Sequence, residues 1–421
     1  MRARRLFAVA LAFVAALAVF TATRGDERAA AGPPSAGAPS LRPDADTDAL
    51  VRRLQVAVRR GAPREAELAA AYLQKVRETG DPSFYARADG ILRGALARGP
   101  EDPGELAAAA ELAAGRHDFR AALRAAQRSR ALEPEAIGAY PILVDALVEL
   151  GRYGEAEREL QRMVDLKPNL PAYARVSYFR ELTGDLDGAA EALRLAIAAG
   201  GPVPENVAYV QSLLGSLELA RGRTAGARRA FAAALAAMPG YAPALAGRAR
   251  LAALGGDLDI AIARWRRLVA RLPLPEYVIA LGEAELAAGR VAAGREDLSL
   301  VRVQERLLAG AGVNTDVELA IYEADHGSRR RALRLAREAW SRAPGVRAAD
   351  ALGWALTRAG RPEAGLRWAR RALRLGSLDP TFRYHAGIAA GRDGRRDLRL
   401  ALRHGLGAHP LYAKRALEAL R

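Results

Sequence analysis

Residues 214–239, LGSLELARGRTAGARRAFAAALAAMP, contain the pattern that decides the fold. A Leu-Gly pair lies in a first apolar segment, which is interrupted at Gly222. Ala227 and Phe231 lie in a second apolar segment, which ends at Pro239. Glycine commonly ends a helix because it adopts the left-handed conformation without a steric penalty, and proline cannot continue a helix. The stretch therefore predicts two helices joined by a turn at Gly222.

The interrupting glycine recurs along most of the chain at spacings of 33–38 residues. The recurring glycines are Gly80, Gly115, Gly151, Gly184, Gly222, Gly256, Gly289, Gly327, Gly360 and Gly394. Each ends one apolar helical segment and precedes another. A period near 34 residues with two helices in each repeat is typical of tetratricopeptide arrays.

Other positions of the tetratricopeptide motif recur in phase with these glycines. Ala261, Trp265 and Pro273 repeat the Ala-x-x-x-aromatic and proline positions, and Leu281-Gly282 repeats the Leu-Gly pair. The chain thus resembles the tetratricopeptide repeat family over about residues 62–410. The resemblance implies an all-α solenoid, in which about ten helix-turn-helix repeats stack into a right-handed superhelix.

We expect ten helix pairs, with a capping lead helix near 46–60 and a capping closing helix near 411–420. The repeats at the two ends fit the motif less well than the others. Ala121 follows Gly115 by six residues where five is usual, and Arg399 stands where a small residue is expected. Terminal repeats often depart from the consensus because one of their faces meets water.

Two glycine spacings of 38 indicate insertions near residues 200–202 and 309–313. Loops tolerate insertions and often carry binding residues. These two loops are therefore either candidate positions for function or length variation without consequence.

A narrower resemblance is to exported repeat proteins of high-GC actinobacteria. The segments that carry it are YAR at 173–175, LPLPEY at 272–277, YEADHG at 322–327, AADALGWA at 348–355 and YHAG at 384–387. This resemblance implies a repeat scaffold and carries over no catalytic residue and no cofactor.

The N-terminus has the features of an export signal. Three arginines among the first five residues precede an unbroken apolar run from 6 to 20, a length typical of secretory signals. We assign residues 1–30 to a signal peptide or signal anchor, 31–45 to a flexible Pro/Gly/Ala/Ser linker and 46–421 to the repeat array. The protein is thus predicted to be exported, either secreted or tethered to the membrane by an uncleaved helix. The route is either general secretion or the twin-arginine pathway.

Residue types and motifs that the sequence lacks argue against catalysis. It contains no cysteine, which excludes disulfides, thiolate metal sites and cysteine nucleophiles. It contains no nucleophile elbow, phosphate loop or dinucleotide fingerprint. We therefore expect a binding protein rather than an enzyme. The densest titratable cluster, Glu323, Asp325 and His326, gives an alternative hypothesis of a metal-binding protein.

The first helix of each tetratricopeptide pair faces the concave side, so its solvent-facing positions can be assigned by phase. Tyrosine and tryptophan provide rigid contact area with a polar tip, which suits recognition of a protein or peptide. We therefore expect an exported scaffold that binds a protein or peptide partner in its concave groove. The candidate groove residues are Tyr178, Glu181, Tyr209, Arg250, Glu283, Tyr322, Asp325, Asp350, Trp354 and Tyr384.

Positive charge is concentrated in the last quarter of the chain, where residues 329–421 contain 22 basic and 7 acidic residues. Two second helices in this region place arginines three, four and seven residues apart, on one helix face. The alternative function is therefore an envelope module that binds anionic lipid or wall polymer through a convex face. Nucleic acid is not an expected partner, because the chain is exported and has no nucleic-acid module. The residues of this predicted basic face are Arg330, Arg334, Arg337, Arg367, Arg370, Arg371 and Arg374.

Overall fold

The computed structural model describes residues 47–98, 101–201 and 203–421, and no strand occurs within these ranges. The helices, numbered in chain order, are α1 Thr47–Arg59, α2 Glu65–Thr79, α3 Ser83–Leu96, α4 Pro103–Gly115, α5 Phe119–Leu132, α6 Tyr140–Glu149, α7 Tyr153–Leu166, α8 Leu170–Glu181, α9 Leu186–Ala199, α10 Pro204–Ala220, α11 Thr224–Ala237, α12 Ala242–Leu254, α13 Leu258–Arg271, α14 Pro275–Ala287, α15 Val291–Ser299, α16 Val301–Gly310, α17 Asp316–His326, α18 Arg329–Arg342, α19 Val346–Arg358, α20 Pro362–Ala372, α21 Pro380–Ala389, α22 Arg395–Arg403 and α23 Pro410–Leu420.

Consecutive helices pack in pairs from α2 with α3 to α21 with α22, while α1 precedes the array and α23 follows it. The second helix of the seventh pair is divided at Leu300 into α15 and α16. The all-α solenoid of stacked helix pairs, predicted from the sequence, is confirmed.

Two of the predicted segments, the signal at 1–30 and the linker at 31–45, lie outside the described residues, as does position 202 in the first insertion. Among the helices of the described ranges, none combines the length and the apolar character needed to cross a membrane.

The turn inside most pairs has one common backbone conformation. Seven of the ten recurring glycines have a positive φ, from 69° at Gly80 to 86° at Gly256. A residue with a Cβ atom is strained in this left-handed region, which explains why glycine recurs there. Polar side chains begin several helices: the Asp185 carboxylate accepts a hydrogen bond from the Gly188 amide at 2.9 Å, ahead of α9.

The register of the second pair differs from the prediction. After α4 the left-handed residue is His117, with φ 58°, and not Gly115, which is the last residue of the helix. Ala122 follows His117 by five residues and is fully buried. The offset of six residues between Gly115 and Ala121, which departs from the motif, therefore reflects a turn that is centred on His117. The prediction differs because it assigns the left-handed position to the nearest glycine, whereas a histidine occupies it.

The two helices of the last pair touch through a different pair of small residues from those used in other repeats. In the seventh pair Gly282 packs on Gly294 of the second helix, and a Cβ atom on Gly294 would lie 2.8 Å from the Gly282 carbonyl oxygen. In the last pair Arg399 cannot make this contact. Gly394, just before α22, lies against Gly387 instead, so close that an added Cβ atom would overlap the Gly387 carbonyl. Here the left-handed turn residue is Gly391, with φ 59°.

One large side chain fills the space between neighbouring pairs. Phe231 of α11 is fully buried between Gly215 of α10 and Gly247 of α12. A Cβ atom would lie 2.5 Å from the Phe231 ring at Gly215 and 2.2 Å from it at Gly247. The motif glycines thus provide room for an aromatic ring at the junction of two repeats.

The solenoid closes on itself, because its second superhelical turn packs against its first. A Cβ atom on Gly151 would lie 2.6 Å from the Pro344 carbonyl oxygen, and one on Gly405 would lie 2.9 Å from the Leu219 carbonyl oxygen. We call the contact between the turns at 115–118, 151–153, 183–184 and 219–222 and residues 312–314, 344–347, 376–378 and 403–405 the seam.

Hydrogen bonds between distant residues reinforce the seam. The Val346 amide donates to the Tyr153 hydroxyl at 2.9 Å, and Nδ1 of His404 donates to the Ala220 carbonyl at 2.8 Å. Asn314 accepts from Nδ1 of His117 at 2.5 Å and donates its amide to the Arg116 carbonyl at 2.9 Å. The predicted insertion at 309–313 leads directly into Asn314, so it joins the two superhelical turns.

Candidate functional site: a chamber enclosed by the superhelix

Most of the predicted groove residues are buried. Eight of the ten are less than a tenth exposed, namely Tyr178, Glu181, Tyr209, Glu283, Tyr322, Asp350, Trp354 and Tyr384. Arg250 and Asp325 are partly buried. The expectation that these side chains face solvent in an open groove is wrong. The physical reason is that the closing helix and the second superhelical turn cover much of the concave surface.

The closing helix α23 enters the concave side of the last repeats. Tyr412 stacks on Tyr384 with ring centroids 4.5 Å apart. The Asp325 carboxylate accepts hydrogen bonds from the Tyr412 hydroxyl at 2.6 Å, from Trp354 Nε1 at 3.0 Å and from Arg415 at 3.0 Å. Asp325 therefore anchors α23 to two first helices and serves a structural role.

A chamber of about 300 Å³ remains on the concave side. Residues of the first superhelical turn, such as Arg77 and Glu111, line it together with residues of the second turn and of the closing helix. Five of the predicted groove residues line the chamber: Arg250, Glu283, Tyr322, Asp325 and Asp350. The other five, Tyr178, Glu181, Tyr209, Trp354 and Tyr384, are not among its lining residues.

Acidic groups dominate the charged lining of the chamber. Three guanidinium groups, of Arg77, Arg250 and Arg347, face the same space as the imidazoles of His117 and His409. The carboxylates are those of Glu111, Glu276, Glu283, Glu305, Glu318, Asp325, Asp350 and Asp379. The lining therefore has eight carboxylates and three guanidinium groups, but Glu305 and Asp325 are paired with Arg331 and Arg415, which lie outside it.

Several of these charges are already paired. Arg77 lies 3.3 Å from Glu111, and Arg347 lies 2.8 Å from Glu318 and 3.7 Å from Glu149. Burial alone would lower the pKa of Arg347, but the two carboxylates raise it overall. Arg77 and Arg347 are therefore held in place by groups of the protein itself.

Three lining groups lack a complete set of partners within the described residues. Glu276 makes no ion pair there, and burial raises its pKa to about 7. Arg250 has its guanidinium 5.7 Å from the Trp265 ring centroid, and burial lowers its pKa. The Oδ1 atom of Asp350 is buried and has no hydrogen-bond partner. A buried polar group of this kind is uncommon in folded proteins, and a ligand often satisfies it.

Among the lining residues that were not predicted from the sequence are Arg77, Glu276, Arg347 and Asp379. Glu276 and Arg347 lie in the first turns of α14 and α19, and Asp379 is the residue that caps α21. The sequence prediction assigned concave positions by phase within helices and therefore overlooked helix starts. The Pro-Glu pair at 275–276 and the Asp-Pro pair at 379–380 do mark those starts in the sequence.

The structure contradicts the metal hypothesis, because the three residues face different partners. Glu323 accepts from the Ser328 amide at 2.7 Å, Asp325 binds α23, and His326 Nε2 lies 2.9 Å from Glu283. Across the described ranges, no group of three or more His, Asp or Glu side chains converges to hold a metal ion.

The seven arginines of the predicted basic face are all exposed. They lie on α18 and on α20 and the turn that follows it. Arg371 has its guanidinium 4.6 Å from the Trp340 ring centroid, and Arg374 lies 5.2 Å from the Tyr153 ring across the seam. We call these seven residues the basic face.

No protein-family model matches the chain, and no curated protein matches it either. Solved structures that resemble it are helical. PilW, a type IV pilus biogenesis factor, is 17% identical over 49% of this chain and 94% of its own, with a TM-score of 0.40. The human IFIT1 dimer with PPP-AAAA is 17% identical over 78% of each chain, with a TM-score of 0.47. The APC/C hetero-tetramer Cut9-Hcn1 is 14% identical over 89% of this chain and 90% of that one, with a TM-score of 0.32.

The helix pairs, their period near 34 residues and the motif glycines at their contacts define the class of the protein. It is a helical-repeat protein with a tetratricopeptide-like fold.

Proposed function

We propose that this chain is a non-catalytic binding scaffold that holds part of a protein or peptide partner in its central chamber. The observation that supports the proposal is the preformed chamber, whose charged groups come from many helices and include Arg77 and Arg347, each held by an ion pair with the protein itself. Groups that are already ordered lose little conformational entropy on binding, which favours affinity. The apolar run at 6–20 supports an extracytoplasmic location, secreted or tethered.

The test is to fill the chamber. Ala280 lines it, so Ala280→Trp occupies part of its volume. The matched control is Ala232→Trp, which adds the same side chain at an exposed position of α11. Partners are captured from the native envelope with the full chain and quantified by mass spectrometry, and their dissociation constants are then measured with purified components.

We expect Ala280→Trp to lose the captured partner and Ala232→Trp to keep it, while both variants retain the helical circular dichroism of the parent. Equal capture of the partner by the two variants would show that the partner does not bind in the chamber.

A second candidate function, binding of an anionic lipid or wall polymer, is supported by the basic face. Of its seven arginines, only Arg334 has a carboxylate within ion-pair distance in the described residues, Glu338 at 3.5 Å. Each basic group near an anionic membrane contributes about 1 kcal/mol. The double variant Arg367→Gln/Arg370→Gln should therefore weaken binding to phosphatidylserine vesicles roughly 30-fold.

The control for this experiment changes two exposed arginines of α11, Arg228 and Arg229, to glutamine. It removes the same net charge from another second helix. If both double variants weaken vesicle binding equally, net charge alone explains the interaction and the basic face has no special role.

A further inference from the structure

One carboxylate oxygen of Asp350 is buried without a hydrogen-bond donor among the described residues. The side chain of Asp350 is 1% exposed, and Nδ1 of His385 lies 2.8 Å from its Oδ2 atom. Its Oδ1 atom is buried and accepts no hydrogen bond from a described residue. An unsatisfied buried carboxylate oxygen costs free energy, and a donor from a ligand removes that cost. Asp350 lines the chamber, so the donor can come from a bound molecule.

A second carboxyl group, that of Asp379, lines the same chamber and interacts electrostatically with Asp350. Asp379 is 4% exposed and accepts hydrogen bonds from the amides of Thr381 and Phe382 at 2.7 and 2.9 Å. Burial raises the pKa of Asp379 to about 6, against the effect of these amides and with a further contribution from Asp350. The ionised form of Asp379 is disfavoured by burial and by Asp350, so a cation placed beside this carboxyl group favours its charged form.

The three arginines that line the chamber make no ion pair with Asp350 or Asp379 in the described ranges, and the side chain that contacts Asp350 is His385. Arg77 lies beside Glu111, and Arg347 lies between Glu149 and Glu318. Arg250 lies over the Trp265 ring and makes no ion pair in the described ranges. Its donors suit an uncharged acceptor such as a peptide carbonyl oxygen.

The size of the chamber limits what can enter it. About 300 Å³ is at the lower end of the range for sites that hold small molecules. A volume of this size can contain one long side chain with its adjoining peptide groups.

We infer that the chamber takes an arginine or lysine side chain of the partner, whose cationic group donates to Asp350 Oδ1 and to the Asp379 carboxyl group. The inference rests on the proposed function and specifies the chemistry of the partner. A basic group has the charge opposite to that of the two carboxyl groups and can donate to the Oδ1 atom of Asp350. The guanidinium of Arg250 can donate to peptide carbonyl oxygens next to that basic group.

The experiment titrates the purified full chain with Nα-acetyl-arginine amide by isothermal calorimetry at pH 7.5. The matched ligand is Nα-acetyl-citrulline amide, which has nearly the same shape and no charge. We expect the arginine compound to bind at least tenfold more tightly than the citrulline compound. Equal binding of the two, or no binding of either, overturns the inference. Tighter binding of spermidine than of the arginine compound also overturns it, because the ligand would then be a free polyamine.

Two variants test the residues. Asp379→Asn retains a side chain that caps a helix and removes the charge, while Asp350→Asn removes the charge beside His385. Each should weaken binding of the arginine compound at least tenfold, and Glu157→Gln, at an exposed position of α7, should leave it unchanged. If Asp350→Asn does not fold, Asp379→Asn alone decides. Unchanged binding by a folded variant overturns the inference.

The two proposals fail in different ways. If Ala280→Trp loses the partner but the arginine compound does not bind, the chamber binds a group of another kind and only this inference fails. If the arginine compound binds but Ala280→Trp captures as much partner as the parent protein does, the proposed function fails instead.

Discussion

Gly151 and Pro344 lie against each other across the seam, so closely that a Cβ atom on Gly151 would come within 2.6 Å of the Pro344 carbonyl oxygen. Gly151 also has a φ of 72°. Two independent requirements, one for backbone conformation and one for space, therefore meet at this residue. The second requirement exists only because the second superhelical turn packs on the first.

Gly151→Ala should be clearly more destabilising than Gly360→Ala. Both glycines have a positive φ, which costs alanine about 1–2 kcal/mol. A Cβ atom on Gly360 meets no atom within 4 Å, whereas one on Gly151 displaces the seam at a further cost of about 1–3 kcal/mol. Urea unfolding of the two variants measures the difference. Equal destabilisation would mean that the seam does not form in solution.

Gly247→Ala should destabilise the array by about 1–3 kcal/mol, because its Cβ atom would lie 2.2 Å from the Phe231 ring. Combining it with Phe231→Leu should give less destabilisation than the sum of the two single changes, since the smaller side chain makes room. The control is Gly90→Ala inside α3, where the added Cβ atom meets nothing and alanine should stabilise by about 0.5–1 kcal/mol. Strict additivity of the pair would contradict the packing described above.

The buried ion pair between Arg175 and Asp145 should matter more than an exposed pair of similar length. Arg175 Nε lies 3.0 Å from Asp145, and both side chains are at most 2% exposed. Arg175→Met should cost about 3–5 kcal/mol, because it leaves a buried carboxyl group without its partner. Arg152→Met removes the exposed pair with Glu155 and should cost less than about 1 kcal/mol. Urea unfolding compares the two, and similar losses would argue against the burial of Asp145.

Glu276 should make the free energy of unfolding depend on pH. Burial raises its pKa to about 7 in the folded state, with Glu318 adding to the shift and Arg250 opposing it. The folded protein therefore binds a proton that the unfolded chain has lost, so stability falls as pH rises from about 4.5 to 7.

Glu276→Gln removes this dependence and should make the protein more stable than the parent above pH 7, by about 1–3 kcal/mol. Thermal unfolding between pH 5 and 8 tests it, with Glu157→Gln as the control that keeps the parental slope. An unaltered slope in Glu276→Gln would show that this carboxyl group is ionised throughout.

The repeats could be predicted from the sequence because their signals are local. The period of the glycines, the small residues at helix contacts and the prolines all act within one or two repeats, so they define the helix pairs. The register of the second pair was missed because His117 adopts a conformation that the sequence prediction assigned to glycine. The alanines at 122 and 126 fit a turn at 117 and are the sequence signal that could have revealed this register. Both are fully buried in the structure.

The seam and the chamber could not be predicted from the same signals. The seam joins residues such as Tyr153 and Val346, which are 193 positions apart. Their contact depends on the small rotation between successive repeats summed over a full superhelical turn, which no short motif specifies. The open groove expected at Tyr178 and Tyr384 is filled for this reason, and Asp350, Arg250 and Glu283 face a chamber.

Amide hydrogen exchange at Val346 tests the central claim, that the two superhelical turns pack together and enclose the chamber. Val346 is the first residue of α19, and an amide at that position has no acceptor within its own helix. Instead, the Val346 amide donates a hydrogen bond to the Tyr153 hydroxyl at 2.9 Å. We predict exchange roughly a hundredfold or more slower than in an open chain, and loss of that protection in Tyr153→Phe. Exchange of Val346 at the open-chain rate in the parent protein would contradict the claim.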